Sequence, residues 1–95
     1  MSQPAVTVRD NPAENRFEAE LEGHTAIAEY KLAPGVITFT HTLVPQAMEG
    51  RGVASTLARA ALKSARDRQL KVVPKCEFFA GYISRHPEEQ DLLQG

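Results

Sequence analysis

The chain has 95 residues, of which 42% are hydrophobic and 24% charged, a composition that fits one globular domain with a single core. Its net charge of −1 gives no support to nucleic-acid binding, and its single cysteine excludes an internal disulfide. No apolar stretch approaches the roughly 20 residues that cross a membrane, and no signal-peptide-like segment opens the chain. We therefore expect one cytoplasmic domain over residues 1–95 that does not bind membranes.

The first half of the chain is predicted to form four strands. Its apolar and β-branched runs are separated by turn signals such as Asp10-Asn11-Pro12 and Ala33-Pro34-Gly35. Because these connections are short, we expect an antiparallel meander. The predicted strands are Ala5–Arg9, Arg16–Glu22, Thr25–Leu32 and Val36–Leu43.

The second predicted strand alternates strictly between apolar and charged residues. Its acidic residues, Glu18, Glu20 and Glu22, fall on the face opposite to its apolar ones. We expect this acidic face to be solvated, although it could also attract a basic acceptor.

The second half of the chain has helical periodicity. Small and apolar residues recur at helical spacing between Ala54 and Ala65, and they predict a long helix over Val53–Leu70. Many of these residues are small, so the helix is expected to lie close against the sheet.

A short strand and a second helix follow the long helix. The strand is predicted at Leu70–Pro74 and the helix at about Glu77–Arg85, ending before Pro87 because a residue that precedes proline disfavours helix. Leu92 and Leu93 are expected to form one last turn. The predicted order ββββαβα defines an α+β domain with a single, mostly antiparallel sheet.

Between the fourth strand and the long helix lies a turn with two glycines, Gly50-Arg51-Gly52-Val53-Ala54-Ser55. A helix start leaves its first N–H groups unpaired, and glycines let a polyanion approach the backbone. Residues 51–95 are also the positive half, with eight basic and five acidic side chains against three and seven in residues 1–50. This pattern is typical of a phosphate site, although a solvated helix face explains the charge almost as well.

The same region resembles the GNAT superfamily of acetyl-CoA-dependent acetyltransferases. Their signature is Gln/Arg-x-x-Gly-x-Gly/Ala, which the chain matches at Gly52 and Ala54 and from which it departs at Glu49. A longer pattern is similar to that of minimal, single-domain members and extends from Arg16 to Leu93. It comprises His41-Thr42-x-Val44-Pro45, the glycine turn, Val73-Pro74-x-Cys76, and Tyr82 with His86-Pro87-Glu88.

The resemblance implies that acetyl-CoA binds across the end of the sheet as co-substrate, without a metal. Its pantetheine arm would run beside Leu43 and Val44, where the fourth and fifth strands diverge and backbone N–H groups polarise the thioester. Its pyrophosphate would lie on the turn, at Gly50, Arg51, Gly52, Val53, Ala54 and Ser55.

Basic side chains near this turn are candidates for further phosphate contacts. Arg51 is expected to contact a phosphate because it lies in the turn itself. One residue of the basic helix stripe, Arg59, Lys63 or Arg66, would meet the 3′-phosphate. The substitution Gly52→Val is expected to weaken CoA binding with little effect on folding.

Cys76 is the first candidate for catalysis. It follows Lys75 and opens the second helix, and both a helix N-terminus and a nearby cation stabilise a thiolate. The thiolate could take the acetyl group and pass it on. Alternatively, Cys76 lines the channel and the amine attacks the thioester directly.

His41 and Tyr82 are the other catalytic candidates. His41 is expected on the strand face of Ile37 and Phe39, as a general base, as a partner of the Cys76 thiol or as a core residue. Through the resemblance, Tyr82 is implied as proton donor to the departing CoA thiolate; the alternative is a buried aromatic that anchors its helix.

The expected function is transfer of acetyl from acetyl-CoA to an amine, on a small molecule or a peptide, by a monomer or weak dimer. A non-catalytic acyl-CoA-binding module is the alternative, because Glu49 and Leu43 depart from the enzyme pattern. A third possibility is an interaction domain that uses an exposed sheet edge. A metal site from Cys76, His41 and His86 lacks the usual ligand spacing and is not expected.

Overall fold

The alternating segments and the helical stripe form the elements that their patterns predict, in the order ββββαβα. The computed structural model describes residues 6–94. The strands are β1 (Thr7–Asn11), β2 (Arg16–Leu21), β3 (His24–Ala33), β4 (Val36–Leu43) and β5 (Lys71–Pro74), and the helices are α1 (Val53–Asp67) and α2 (Glu77–Arg85). Short 3₁₀ segments lie at Pro12–Glu14, Gln46–Met48 and Pro87–Leu92.

The five strands form one sheet in the spatial order β1-β2-β3-β4-β5. Strands β1 to β4 pair antiparallel with their neighbours, whereas β5 pairs parallel with β4. Parallel neighbours need a crossover connection, which α1 supplies. The predicted α+β fold with a mostly antiparallel sheet is therefore confirmed.

Helix α1 ends at Asp67, three residues before the predicted end. Gln69 adopts a left-handed conformation with φ of 58°, and the N–H groups of Gln69 and Leu70 donate to the carbonyls of Arg66 and Ala65 at 3.1 and 2.8 Å. This Schellman-type pattern closes the helix. With 15 residues α1 is the longest helix, and no helix in the described range is long and apolar enough to span a bilayer.

The first and last elements of the described chain lie close to their predicted bounds. Strand β1 runs to Asn11 rather than Arg9, and Ala5, the predicted start of this strand, lies outside the described residues. Leu92 closes the last 3₁₀ segment, and Leu93 forms a parallel bridge with Val72.

The apolar residues of the sheet share one face, and both helices pack on it. Cross-strand alanines such as Ala19 and Ala26 are fully buried and let α1 approach closely. Phe39 of β4 stacks on Phe79 of α2 with ring centroids 4.1 Å apart, which fixes α2 against this face. Each fully buried side chain of this size stabilises the fold by roughly 2 kcal/mol.

The opposite face of the sheet carries no helix within residues 6–94 and is polar. Glu18 lies on this face but is only 3% exposed, because Arg9, Asn11 and Arg16 donate to its carboxylate at 2.8–3.0 Å. The hydrogen bond from Arg16, followed by those from Asn11 and Arg9, lowers the pKa of Glu18 to about 2. The expectation of a solvated Glu18 is wrong, because the neighbouring side chains cover it.

Candidate acetyl-transfer site

Strand β4 is longer than its partner β5, so part of its edge is open. Strand β5 pairs only with residues 36–39 of β4, and the N–H groups of Lys75 and Cys76 both donate to the Phe39 carbonyl, at 2.9 and 3.1 Å. Beyond Phe39, residues 41–43 of β4 pair with β3 alone. Their other edge faces no strand in the described part of the chain, because β5 ends at Pro74, opposite Phe39.

A β-bulge at Thr40 changes which way the end of β4 faces. Tyr30 of β3 lies opposite Phe39 and Glu29 lies opposite His41, so Thr40 has no opposite residue. After the bulge His41 shares the polar face with Glu29 and is exposed. The prediction that His41 lies on the face of Phe39 is wrong, because strict alternation does not continue through a bulge.

The bulge also directs Thr42 towards Cys76. Thr42 lies opposite Ala28, on the helix-covered face, and its Oγ1 is 3.2 Å from the Cys76 sulfur. Cys76 is half-buried, and it is the N-cap residue of α2, although its side chain makes no capping hydrogen bond. The thiol partner is therefore Thr42 and not His41.

The glycine turn between β4 and α1 has an unusual backbone. Gly50 and Gly52 have φ of 78° and 75°, in the left-handed region that favours glycine. A Cβ added at either position would meet no atom within 4 Å. Because Gly52→Val would put a β-branched residue at positive φ, the expectation that it has little effect on folding is wrong.

Helix α1 begins at this turn without a side-chain cap. Gly52 is the N-cap residue and lacks a side chain, and the first helical bond runs from Thr56 N–H to the Gly52 carbonyl at 3.0 Å. The three N–H groups between them, on Val53, Ala54 and Ser55, have no acceptor within the helix. They remain available to an anion.

A cavity of about 270 Å³ adjoins these N–H groups. It contains six of the eight predicted cofactor residues and adds Met48 and Glu49. Its lining is Val44, Met48, Glu49, Gly50, Gly52, Val53, Ala54 and Ser55. The other two predicted residues lie elsewhere: the Leu43 side chain is 55% exposed at the end of β4, and Arg51 points away.

Arg51 binds an acidic residue from another part of the chain. Its Nη1 donates to Glu22 Oε1 at 2.8 Å. This hydrogen bond raises the pKa of Arg51 and lowers the pKa of Glu22. With Glu18 and Glu22 both paired, the predicted acidic strand face retains only Glu20 without an ion pair in the described residues.

The basic stripe of α1 is partly occupied by carboxylates. Lys63 pairs with Asp67 at 2.6 Å, and Arg66 pairs with Asp91 at 2.8 Å. Arg66 also lies about 20 Å along the helix from its start. Among the described residues Arg59 is the member of the stripe without an ion pair.

Tyr82 occupies a buried position on α2. It is 3% exposed, and its ring stacks on His86 with centroids 3.9 Å apart and lies 6.3 Å from Phe78. His86 Nδ1 is also 2.7 Å from the Tyr82 carbonyl. This is the geometry of an aromatic that anchors its helix; the role of Tyr82 as proton donor stays a prediction.

Sequence reasoning missed two features of the site, the Thr42 contact with Cys76 and the pairing of Arg51 with Glu22. Thr42 belongs to the motif that carries the family resemblance, but nothing local in the sequence shows that a bulge turns it towards the thiol. Within residues 6–94 no group of three His, Cys, Asp or Glu side chains is arranged to hold a metal ion.

The open strand edge, the glycine turn at the uncapped start of α1 and Cys76 all lie within residues 16–92 of this α+β domain. Residues 16–92 match the family model described as GCN5-related N-acetyl-transferase. The chain belongs to this family, as its motifs predicted.

Relatives and a solved structure agree with this assignment. The protein NATD1 of Mus musculus and that of Homo sapiens are each 30% identical to this chain over 90 residues, which is 92% of this chain and 82% and 80% of theirs. The NMR solution structure of a GCN5-like protein from Staphylococcus aureus matches with a TM-score of 0.73 and 26% identity, over 94% of this chain and 88% of that one.

Proposed function

We propose that the protein transfers acetyl from acetyl-CoA to an amine, with the cofactor bound along the open edge of β4 and over the glycine turn. The observation that carries this proposal is the continuity of the two features. Val44 directly follows β4 and lines the cavity at the start of α1. A ligand with an amide-containing arm and a pyrophosphate fits this arrangement: the arm can pair with the open strand edge, and the pyrophosphate can accept from the unpaired N–H groups.

The turn fits a polyanion through its backbone rather than through its side chains. Gly50 and Gly52 keep the approach free of Cβ atoms, and α1 directs its positive end at the cavity. Glu49 also lines the cavity and disfavours a phosphate beside it. Arg59 is the candidate for offsetting this charge at the 3′-phosphate.

Cys76 marks the proposed position of the acetyl group. It lies beside Thr42 on the open part of β4, where a pantetheine arm running from Val44 would end. A backbone N–H group at Leu43 or Val44 is the proposed donor to the thioester oxygen.

Two routes are consistent with this geometry. In the first, the Cys76 thiolate attacks the acetyl carbonyl, the CoA thiolate leaves and takes a proton, and the amine then attacks the acetyl-cysteine, releasing the Cys76 thiolate and a proton. In the second, the amine attacks the CoA thioester directly. The contact between the Thr42 hydroxyl and the half-buried Cys76 sulfur, in which either group can be the donor, supports the first route because it positions the nucleophile.

The acceptor amine is proposed to approach from the polar, helix-free face. His41 is exposed there opposite Glu29, whereas Thr42 meets Cys76 on the helix-covered side. His41 is the proposed general base for an amine that reaches the acetyl group at the open edge of β4, which both faces share. A peptide N-terminus, a lysine side chain and a polyamine all fit so open a face. Tyr82 remains the proposed proton donor to the leaving thiolate.

Intact-mass spectrometry with acetyl-CoA, under native and then denaturing conditions, tests the proposal. We expect a native complex and, after denaturation, an acetyl adduct that Cys76→Ser lacks and that Thr42→Val forms more slowly. A complex without an adduct, but with turnover of an added amine, would assign direct transfer. A complex without turnover would assign a CoA-binding module, and the absence of a complex would contradict the proposal.

A further inference from the structure

Arg51 connects the phosphate turn to a distant part of the sheet. Its side chain reaches Glu22 at 2.8 Å across a sequence separation of 29 residues. Both side chains are partly exposed, 36% for Arg51 and 53% for Glu22. The pair is thus a surface contact between two loops.

The Glu22 end of this contact is held by a tight turn. Leu21 and His24 are the last paired residues of β2 and β3, so Glu22 and Gly23 form a two-residue hairpin loop. Their φ values of 52° and 82° are both positive, as a type I′ turn requires. Such a turn follows the twist of the two strands, and it holds Glu22 at a defined position on the sheet.

The Arg51 end is intrinsically more flexible. Arg51 stands between Gly50 and Gly52, and glycines lose more conformational entropy on ordering than other residues. Both glycines line the cavity at the start of α1, whereas Arg51 does not. The Arg51 side chain is therefore directed towards the hairpin while its neighbours face the cavity.

We propose that Glu22 is a positioning residue for the cofactor turn: by holding Arg51, it fixes Gly50 and Gly52 in the conformation that receives the phosphate. This inference rests on the proposed acetyl-CoA site. A turn that is ordered before binding loses less entropy when the ligand arrives. Because exposed ion pairs are weak, the expected effect on the dissociation constant of CoA is about two- to fivefold.

Isothermal titration with CoA on a double-mutant cycle tests this role. Glu22→Gln and Arg51→Gln should each raise the Kd about two- to fivefold, and the double variant should be no weaker than either single one. Asp67→Asn is the matched control, because it breaks the exposed Lys63–Asp67 pair at the far end of α1. Its Kd should equal that of the wild type.

Two results would overturn the inference. Tighter binding by Glu22→Gln, with weaker binding by Arg51→Gln, would show that Arg51 contacts the phosphate and that Glu22 competes for it. An unchanged Kd in Glu22→Gln would show that the pair has no influence on the turn.

A measurement without ligand separates this inference from the proposed function. Backbone ¹⁵N order parameters of Gly50, Arg51 and Gly52 should fall in Glu22→Gln and stay unchanged in Asp67→Asn. Equal order parameters in Glu22→Gln and wild type would overturn the positioning role. If the wild type does not bind CoA, the proposed function fails, and the order parameters still decide whether Glu22 fixes the turn.

Discussion

The two ends of helix α1 are built in opposite ways. At its start, Gly52 provides no side-chain cap and three N–H groups lack helical acceptors. At its end, a Schellman-type turn satisfies the carbonyls of Ala65 and Arg66. The Arg66 side chain also binds Asp91 through two hydrogen bonds of 2.8 and 3.0 Å and Glu89 through one of 3.1 Å. The C-terminal end of α1 is therefore bonded to other parts of the protein, whereas the N-terminal end keeps free N–H groups.

Because the two ends differ in this way, we expect the start of α1 to serve ligand binding and its end to serve stability. Relative to glycine, an N-cap side chain stabilises a helix by roughly a few tenths of a kcal/mol, and α1 does without it. The donors that remain free are those that a phosphate can use. At the C-terminal end, about 20 Å away, carboxylates instead form ion pairs with the basic side chain of Arg66.

The largest expected effect comes from a substitution at the N-terminal end of α1. Gly52→Val should destabilise the protein by about 2 kcal/mol, because it forces a β-branched residue to a φ of 75°. It should also weaken CoA binding about tenfold or more, because side-chain atoms enter the path of the phosphate. Thermal unfolding and isothermal titration measure the two effects.

Gly35→Val is the matched control for this prediction. Gly35 has a φ of 74° and no atom within 4 Å of an added Cβ, but it precedes β4, at the opposite end of that strand from Gly52. It should lose similar stability and retain wild-type CoA affinity. Equal losses of affinity in both variants would show that backbone strain, and not the cofactor turn, explains the result.

The buried ion-pair network of Glu18 gives the second largest expected effect, and it concerns stability alone. Since its folded pKa is about 2, below the ordinary 4.5, its contribution is present above about pH 4.5 and is lost as the pH falls towards 2. The contribution is on the order of 2 kcal/mol, less than the pKa difference implies, because Arg9 and Arg16 are partly exposed. Denaturant titrations between pH 5 and 2 should show a shallower loss for Glu18→Gln; an identical pH dependence would contradict this account.

Much of this molecule follows from local patterns in the sequence. Strict alternation in β2, the helical stripe of α1 and the turn signals between strands predict the element order without knowledge of contacts. The glycine turn is also local, and five of its predicted cofactor residues line one cavity, together with Val44, which the family resemblance implied.

The features that the sequence did not predict depend on strand pairing and on contacts between side chains. Glu18 is covered by Arg9 and Arg16 from adjacent strand positions, and a period-two pattern alone cannot distinguish this from exposure to solvent. The bulge at Thr40 is set by the pairing of two strands, so the face of His41 could not be predicted from alternation.

A substitution at the C-terminal end of α1 should lower the stability of the protein and leave its affinity for CoA unchanged. Arg66→Gln removes the contacts to Asp91 and Glu89 that attach α1 to the last 3₁₀ segment. Because Arg66 is exposed, we expect a small decrease in melting temperature. CoA affinity should match the wild type; weaker binding would show that this end of the helix takes part in the site.

The smallest expected effect is that of Arg59→Gln on CoA binding, and it tests how far along α1 the binding site extends. It lies between the two ends of α1 and, in the described part of the chain, has no ion pair. If it meets the 3′-phosphate, Arg59→Gln should weaken binding of CoA about two- to fivefold and leave the binding of dephospho-CoA unchanged, because the lost charge has a partner only in CoA. Lys63→Gln, one turn further along, should bind both ligands like the wild type. Equal weakening for CoA and dephospho-CoA would mean that Arg59 acts through the general field of the helix and not on the 3′-phosphate.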